Sequence, residues 1–213
     1  MLISHGGRFI FLHVPKTAGL SIREALKGYA HEPEKFRIER PAMLKDGKPN
    51  PVYDIWRVAL LHAKAQDVRK EIGEELYTGY YKFAFVRNPW DWHVSMFHFL
   101  KHMMYKPVAR LNSFEEYLEW VVRSERPFPK GAAKFQKEIL TDRQGLLIVD
   151  FVGRYENLAN DFAQVCRQLN INADLPRLNS SPHGEYRAYY TDRTRDMVAD
   201  YFKPDIELFG YTF

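Results

Sequence analysis

One cysteine, Cys166, stands in a chain of 213 residues. That excludes an internal disulfide framework, so stability must come from a packed core, and a reduced, cytoplasmic setting is expected. Long apolar runs are missing too. No stretch reaches the roughly 18 residues of a membrane span, and the opening "MLISHGGRFIFLHV" lacks the basic head and small-residue cleavage site of a secretory leader. A soluble protein is expected. Lys and Arg are scattered among Asp and Glu without long runs of one sign, so the formal charge of +4 suits an anionic ligand but builds no nucleic-acid arm. The aromatic residues likewise form no basic, interleaved platform for bases. There is no H-E-x-x-H pattern, and His93 and His98 lie about 140° apart around a helix, so His93, His98 and His102 share no metal-binding face. No metal is expected. Internal repeats and low-complexity tracts are absent.

What is present is an alternation of strand and helix signals. "RFIFLHV" (Arg8 to Val14) reads as a strand, and "GLSIREALKGY" places Ile22, Ala25 and Leu26 on one helical face before Gly28. From His31 to Tyr53 the chain is irregular and rich in proline, the mark of a functional loop. A charged helix is expected over Ala63 to Tyr77, and an aromatic strand over Tyr81 to Arg87. Asn88 caps the next helix, Pro89 opens it and Asp91 meets its positive end. Helical patterns follow at Ser113 to Ser124, about Ala132 to Thr141, and from Glu156 to Asn170. The apolar run "GLLIVDFVGRYE" (Gly145 to Glu156) lies between them as a third strand. A turn and a helix end the chain. The pattern is α/β: a single domain over 1–213 with a mainly parallel central sheet, long enough to bury roughly 70% of its unfolded surface and expected to bind ligands beyond the strands' carboxyl ends.

The segment "FIFLHVPKTAGLSI" interrupts a buried strand with a proline, a lysine and small or hydroxyl residues. If Val14 ends the strand and a helix begins near Gly19, the backbone N–H groups of the turn converge on one point, an anion cradle. Ala18 and Gly19 admit a close approach, Thr17 and Ser21 offer hydroxyls, and Lys16 adds a full charge. The nucleotide loop G-x-x-x-x-G-K-[ST] has its lysine after the small residues; here it comes before them. In "FAFVRNPWDWHVS" a second strand runs into a second helix, with Arg87 at the strand end and Ser95 two turns along. Arg87 is a planar fork suited to phosphate. Two anion sites at neighbouring strand ends suit a ligand with two separated phosphate-like groups. The bland alternatives are a solvated Lys16 and an Arg87 paired with a structural carboxylate.

At these residues the sequence resembles the sulfotransferases that use 3′-phosphoadenosine 5′-phosphosulfate (PAPS), in particular the carbohydrate-type "sulfotransferase family 2". "HVPKTAGLSI" is similar to their 5′-phosphosulfate loop and "FVRNPWDWHVS" to their 3′-phosphate motif. "LLHAKAQDVRKEIG", "VDFVGRYENLANDF", "LNSSPHGEYRAYYTD" and "DIELFGYTF" extend the likeness over nearly the whole chain. The resemblance implies a P-loop-like, three-layer fold and transfer of a sulfuryl group from PAPS to a hydroxyl or amine, with 3′,5′-ADP (PAP) as product. It implies that Lys16 stabilises the leaving 5′-phosphate and that the amides of Thr17, Ala18, Gly19, Leu20 and Ser21 hold it. Arg87 and Ser95 would hold the 3′-phosphate, while Tyr186 and Arg187 would close over the nucleotide. His62 matches the family's histidine and is the expected base; His13, Glu32 and Glu34 are rivals. Leu20 stands where many members have a hydroxyl residue, and Trp92 where "RNPWDR" has arginine. The acceptor is expected to meet the segments His31 to Tyr53, Tyr105 to Asn112 and Glu125 to Lys134. Two other readings stay open: an ATP-using phosphotransferase, with Asp150 holding Mg²⁺, and a non-catalytic nucleotide- or glycan-binding protein.

Overall fold

The computed structural model describes residues 1–31, 33, 48, 62–129, 132–178 and 184–213. Glu32, Glu34 and nearly all of the proline-rich stretch lie outside them. The chain opens with a hairpin of β1 (Leu2–Ser4) and β2 (Phe9–Leu12), followed by α1 (Gly19–Leu26), α2 (Ala65–Ile72), α3 (Glu74–Gly79) and β3 (Tyr81–Val86). Next come α4 (Pro89–His102), α5 (Lys106–Ala109), α6 (Phe114–Arg123), α7 (Lys137–Leu140) and β4 (Phe151–Arg154). Helices α8 (Leu158–Leu169), α9 (Asp192–Tyr201) and α10 (Lys203–Phe209) complete the order, with single 3₁₀ turns at Tyr155–Asn157 and Tyr186–Tyr189. The sheet order is β1-β2-β3-β4, with β2, β3 and β4 parallel and β1 antiparallel at one edge.

Strand alternation sorts the core into two layers. Phe9, Phe11, Phe83 and Phe85 point to α1 and α8, where Ile22, Leu26, Phe162 and Val165 meet them. All four phenylalanines are fully buried, each contributing roughly 1.5–3 kcal/mol relative to exposure. Ile10, Leu12, Ala84 and Val86 point the other way, against Val68 of α2, Tyr77 of α3, Ile139 and Leu140 of α7 and Phe209 of α10. The result is helix, sheet, helix: the expected three layers. A further core, built from Trp90, Trp92, Tyr117, Val198 and Phe202, joins α4, α6 and α9.

Three elements differ from the sequence reading. The helix expected over Ala63 to Tyr77 breaks at Gly73, whose φ of 89° closes α2 and starts α3. The strand expected over Gly145 to Glu156 shrinks to Phe151–Arg154, because the Asp142 carboxylate accepts from the amides of Gln144 and Leu146 and turns the chain outward, leaving Leu146 exposed. The helix about Ala132 to Thr141 is the single turn α7, whose first amides, Gln136 and Lys137, are held by the buried Asp205 carboxylate at 2.8 and 2.9 Å. Asn88 behaves as expected, its Oδ1 accepting from the Trp90 amide at 3.0 Å.

Candidate active site

The turn between β2 and α1 is built from carbonyls facing outward. Val14 O accepts from the Thr17 hydroxyl at 2.8 Å, Pro15 O from the Trp92 indole at 2.8 Å and Lys16 O from the Arg87 guanidinium at 3.3 Å. Each peptide is planar and trans, so a carbonyl drawn outward sends the next N–H to the opposite side. Lys16 and Ala18 sit at φ 64° and 61°, left-handed for residues that carry a Cβ, and each costs on the order of 1 kcal/mol. Such alternation makes a concave nest of N–H groups, and the first turn of α1 adds the amides of Gly19, Leu20 and Ser21. The turn between strand and helix expected from sequence thus carries two left-handed residues, Lys16 and Ala18. One detail differs: Thr17 is fully buried and its only hydroxyl proton goes to Val14 O, so its amide, not its hydroxyl, is what it can offer an anion. Ser21 Oγ accepts from the Leu178 amide at 3.1 Å, which leaves its own proton to be donated.

Gly19 serves a purpose that sequence alone did not show. A Cβ there would lie 1.8 Å from Nε2 of His13, so the glycine admits the imidazole, which sits beneath the start of α1. The Lys16 ammonium lies 4.5 Å from the centre of the Phe99 ring. Burial first, and the neighbouring Arg87 second, lower the Lys16 pKa to about 8.

Parallel register brings the second pole alongside. Leu12 pairs with Ala84 and Val86 with Arg154, so the residues just past the strands, Pro15, Arg87 and Tyr155, come level with one another. Arg87 is buried, its Nε donating to Asp91 at 2.7 Å and its guanidinium stacked 4.0 Å above the Tyr155 ring. The structural carboxylate weighed as the alternative partner of Arg87 is thus real: it is Asp91. The Arg87 backbone is gripped as well: Gln136 Oε1 accepts from its N–H at 2.9 Å while Gln136 Nε2 donates to its C=O at 2.8 Å. Glu156 accepts from the next amide, Asn88, at 2.6 Å. Ser95 is buried on α4 one turn beyond Asp91, on the same helical face.

His62 and His13 come together. The His62 Nδ1 lies 2.6 Å from the His13 carbonyl, and the two rings meet edge to face with centroids 4.5 Å apart. A carbonyl can only accept, so Nδ1 carries the proton and Nε2 keeps the basic lone pair. Desolvation lowers the His62 pKa to about 3, with the His13 hydrogen bond opposing it, so burial is what keeps this ring neutral. His13 is buried with its Nδ1 unpartnered among the described residues, and desolvation, followed by the nearby His62, lowers its pKa well below the usual imidazole range.

A family model described as "Sulfotransferase family" matches residues 1–212. The chain belongs to the sulfotransferase family. Solved sulfotransferases share the fold: the mouse sulfotransferase SULT7A1, crystallised in complex with PAP, superposes with a TM-score of 0.53 at 14% identity, covering 95% of this chain and 86% of that one. A sulfotransferase from Alicyclobacillus acidocaldarius gives 0.52 at 17% identity, covering 97% and 96%. In sequence, the chain is 32% identical over 125 residues to an uncharacterised protein of Archaeoglobus fulgidus, covering 56% of this chain and 93% of that protein.

In this sulfotransferase-family chain Tyr186 and Arg187 lie on the 3₁₀ turn after the undescribed residues 179–183. Arg187 stacks 4.7 Å over Tyr186, pairs with Glu185 at 3.7 Å, and is half exposed. Burial raises the Tyr186 pKa, and the charge of Asp91 beside Arg87 also acts on that hydroxyl. Asp150 is elsewhere. It precedes β4 at the amino ends of the parallel strands, where its carboxylate accepts from the Lys82 amide at 2.7 Å and pairs with the Lys82 ammonium at 2.8 Å. A Mg²⁺-holding aspartate would be needed beside the turn after β2, at the other end of the strands. Sequence reasoning missed Tyr155 and Gln136; of Trp92 it read a part in helix packing but not the hydrogen bond to Pro15 O. Tyr155 and Glu156 lay inside the quoted "VDFVGRYENLANDF", but nothing in their spacing announces contact with a residue nearly 70 positions earlier.

Proposed function

We propose that this protein transfers a sulfuryl group from PAPS to a hydroxyl or amine of a carbohydrate or related small acceptor, in the cytoplasm and without a metal. The observation that supports it best is the direct link between the two poles: the N–H nest and Lys16 lie one hydrogen bond, 3.3 Å, from the Arg87 fork. Two anion sites so close suit one small ligand phosphorylated at both ends, as a 3′,5′-bisphosphorylated adenosine is, and the 3′ pole would set PAPS apart from ATP. The nest amides of Thr17 to Ser21 hold the 5′-phosphate; Arg87, Ser95 and Arg187 address the 3′-phosphate, with Tyr186 offering an aromatic face.

The acceptor oxygen attacks sulfur in line, the bond from sulfur to the bridging oxygen breaks, and PAP leaves with the electron pair. Lys16 supplies positive charge where negative charge grows on that oxygen. The acceptor proton goes to Nε2 of His62, the nitrogen that its bond to His13 O leaves basic. The donor's negative charge raises the His62 pKa as the complex forms, bringing a weak base closer to its task. Incubating the protein with PAPS labelled in its sulfuryl group and a mixture of glycans and small hydroxyl compounds, in chelator, tests the reading. Label should appear in an acceptor and vanish with Lys16→Ala. Transfer from ATP that requires Mg²⁺, with none from PAPS, overturns it.

A further inference from the structure

Trp92 stands outside the residues assigned to the donor, yet it holds the loop that receives it. Its side chain is 2% exposed, its ring packs edge-on against Phe128 and His93 at 5.4 and 5.0 Å, and its only polar atom donates to Pro15 O at 2.8 Å. Because the peptide between Pro15 and Lys16 is planar, fixing that oxygen fixes the Lys16 N–H and the direction in which the lysine leaves the backbone. Of the three donors that turn the loop's carbonyls outward, Thr17 belongs to the loop itself and Arg87 belongs to the opposite pole. Among the described residues, Trp92 is the one from a separate element whose N–H is wholly engaged in the loop. Its neighbour on α4 is Asp91, which orients Arg87 at 2.7 Å. The first turn of α4 therefore sets both poles.

We propose that Trp92 is a positioning residue for the donor's 5′ end: its indole N–H locks the Pro15–Lys16 peptide so that Lys16 and the loop amides face the phosphosulfate. The inference rests on the proposed function above and adds a residue to it. Trp92 would act through Lys16 and touch no part of the donor.

The test separates the two ends of the nucleotide. Calorimetric titration of the full chain and of Trp92→Phe, which keeps a ring but loses the donor, would use 5′-AMP, 3′-AMP and 3′,5′-ADP. Trp92→Phe should bind 5′-AMP and 3′,5′-ADP about 10-fold more weakly, as for one lost buried hydrogen bond, and 3′-AMP unchanged. Phe128→Leu loosens the same packing but keeps the N–H, and should leave all three affinities near the parent's. Equal weakening toward all three nucleotides in Trp92→Phe, or no weakening, overturns the proposal, as does the same loss in Phe128→Leu. A parent that binds no 3′,5′-ADP sinks the proposed function instead, so the two failures are distinguishable. Should Trp92→Phe not fold, the parent labelled with ¹⁵N at its indoles answers the question. The Trp92 signal, assigned by replacing Trp56, Trp90 and Trp120 in turn, should shift with 5′-AMP and stay put with 3′-AMP. A signal indifferent to both overturns the proposal.

Discussion

Lys16 carries a positive charge in a place that disfavours it. Its pKa of about 8 makes it mostly protonated at neutral pH and increasingly neutral as pH rises past 8, where it no longer stabilises a departing phosphate. The rate at low donor, kcat/KM for PAPS, should therefore fall as pH rises through about 8. With donor bound, the adjacent negative charge raises the lysine pKa, so the fall in kcat should come at higher pH. Coincident limbs in the two profiles would assign the titration to another group. Lys16→Ala should fold normally and lose about 10²- to 10³-fold in turnover, as for one electrostatic donor removed; a variant of full activity would exclude the role. His62 is the complementary case. With its pKa lowered to about 3 in the free protein it is neutral there across the working range, so the kcat/KM profile should show no acid limb near the ordinary histidine value of about 6.5. His62→Ala should cost about 10²- to 10⁴-fold, and unchanged rates would move the base elsewhere.

At the level of elements, the junction of β2 with α1 depends on a glycine that makes room for an imidazole. Gly19→Ala forces a methyl group to 1.8 Å from His13, an overpacking that should destabilise the protein by about 1–3 kcal/mol in denaturant titration. His13→Ala added to it should recover most of that loss, because the two residues share the space. If the double variant is no more stable than Gly19→Ala, the clash is not the cause. This contact also marks where sequence reading stops. "HVPKTAG" announced a strand, a turn and a helix start, and the cradle follows from backbone chemistry that any reader of those residues can apply. That His13 folds under Gly19, that the Thr17 hydroxyl closes on Val14, and that Trp92 reaches back 77 positions to Pro15 depend on tertiary packing, which spacing does not encode. Asn88 and Pro89 were legible because caps are local; the short β4 was not, since the turn at Asp142 competes with an apolar run that looks like strand.

Across the whole molecule, one buried carboxylate links distant segments. Asp205 of α10 holds the start of α7, whose neighbour Gln136 clamps Arg87 beyond β3. Burial pushes the Asp205 pKa up to about 7 against the two amide hydrogen bonds that lower it. The folded state then holds this proton more tightly than the unfolded chain, whose aspartate titrates near 3.9, so stability from this group falls as pH rises between those values and is level above about 7. Between pH 5 and 7.5 the parent should lose more stability than Asp205→Asn; equal slopes would show the carboxylate ionised throughout. Among the described residues no helix is long and apolar enough to cross a membrane. The three layers and the parallel strands were legible because each rests on periodicity, while the braces around Arg87 arise only when β4, α7 and α10 come together. The most direct measurement is a crystal structure of the protein with 3′,5′-ADP. The 5′-phosphate should lie on the amides of Gly19 to Ser21 beside Lys16, with the 3′-phosphate against Arg87 and Ser95; a nucleotide bound away from both, or none bound, would contradict it.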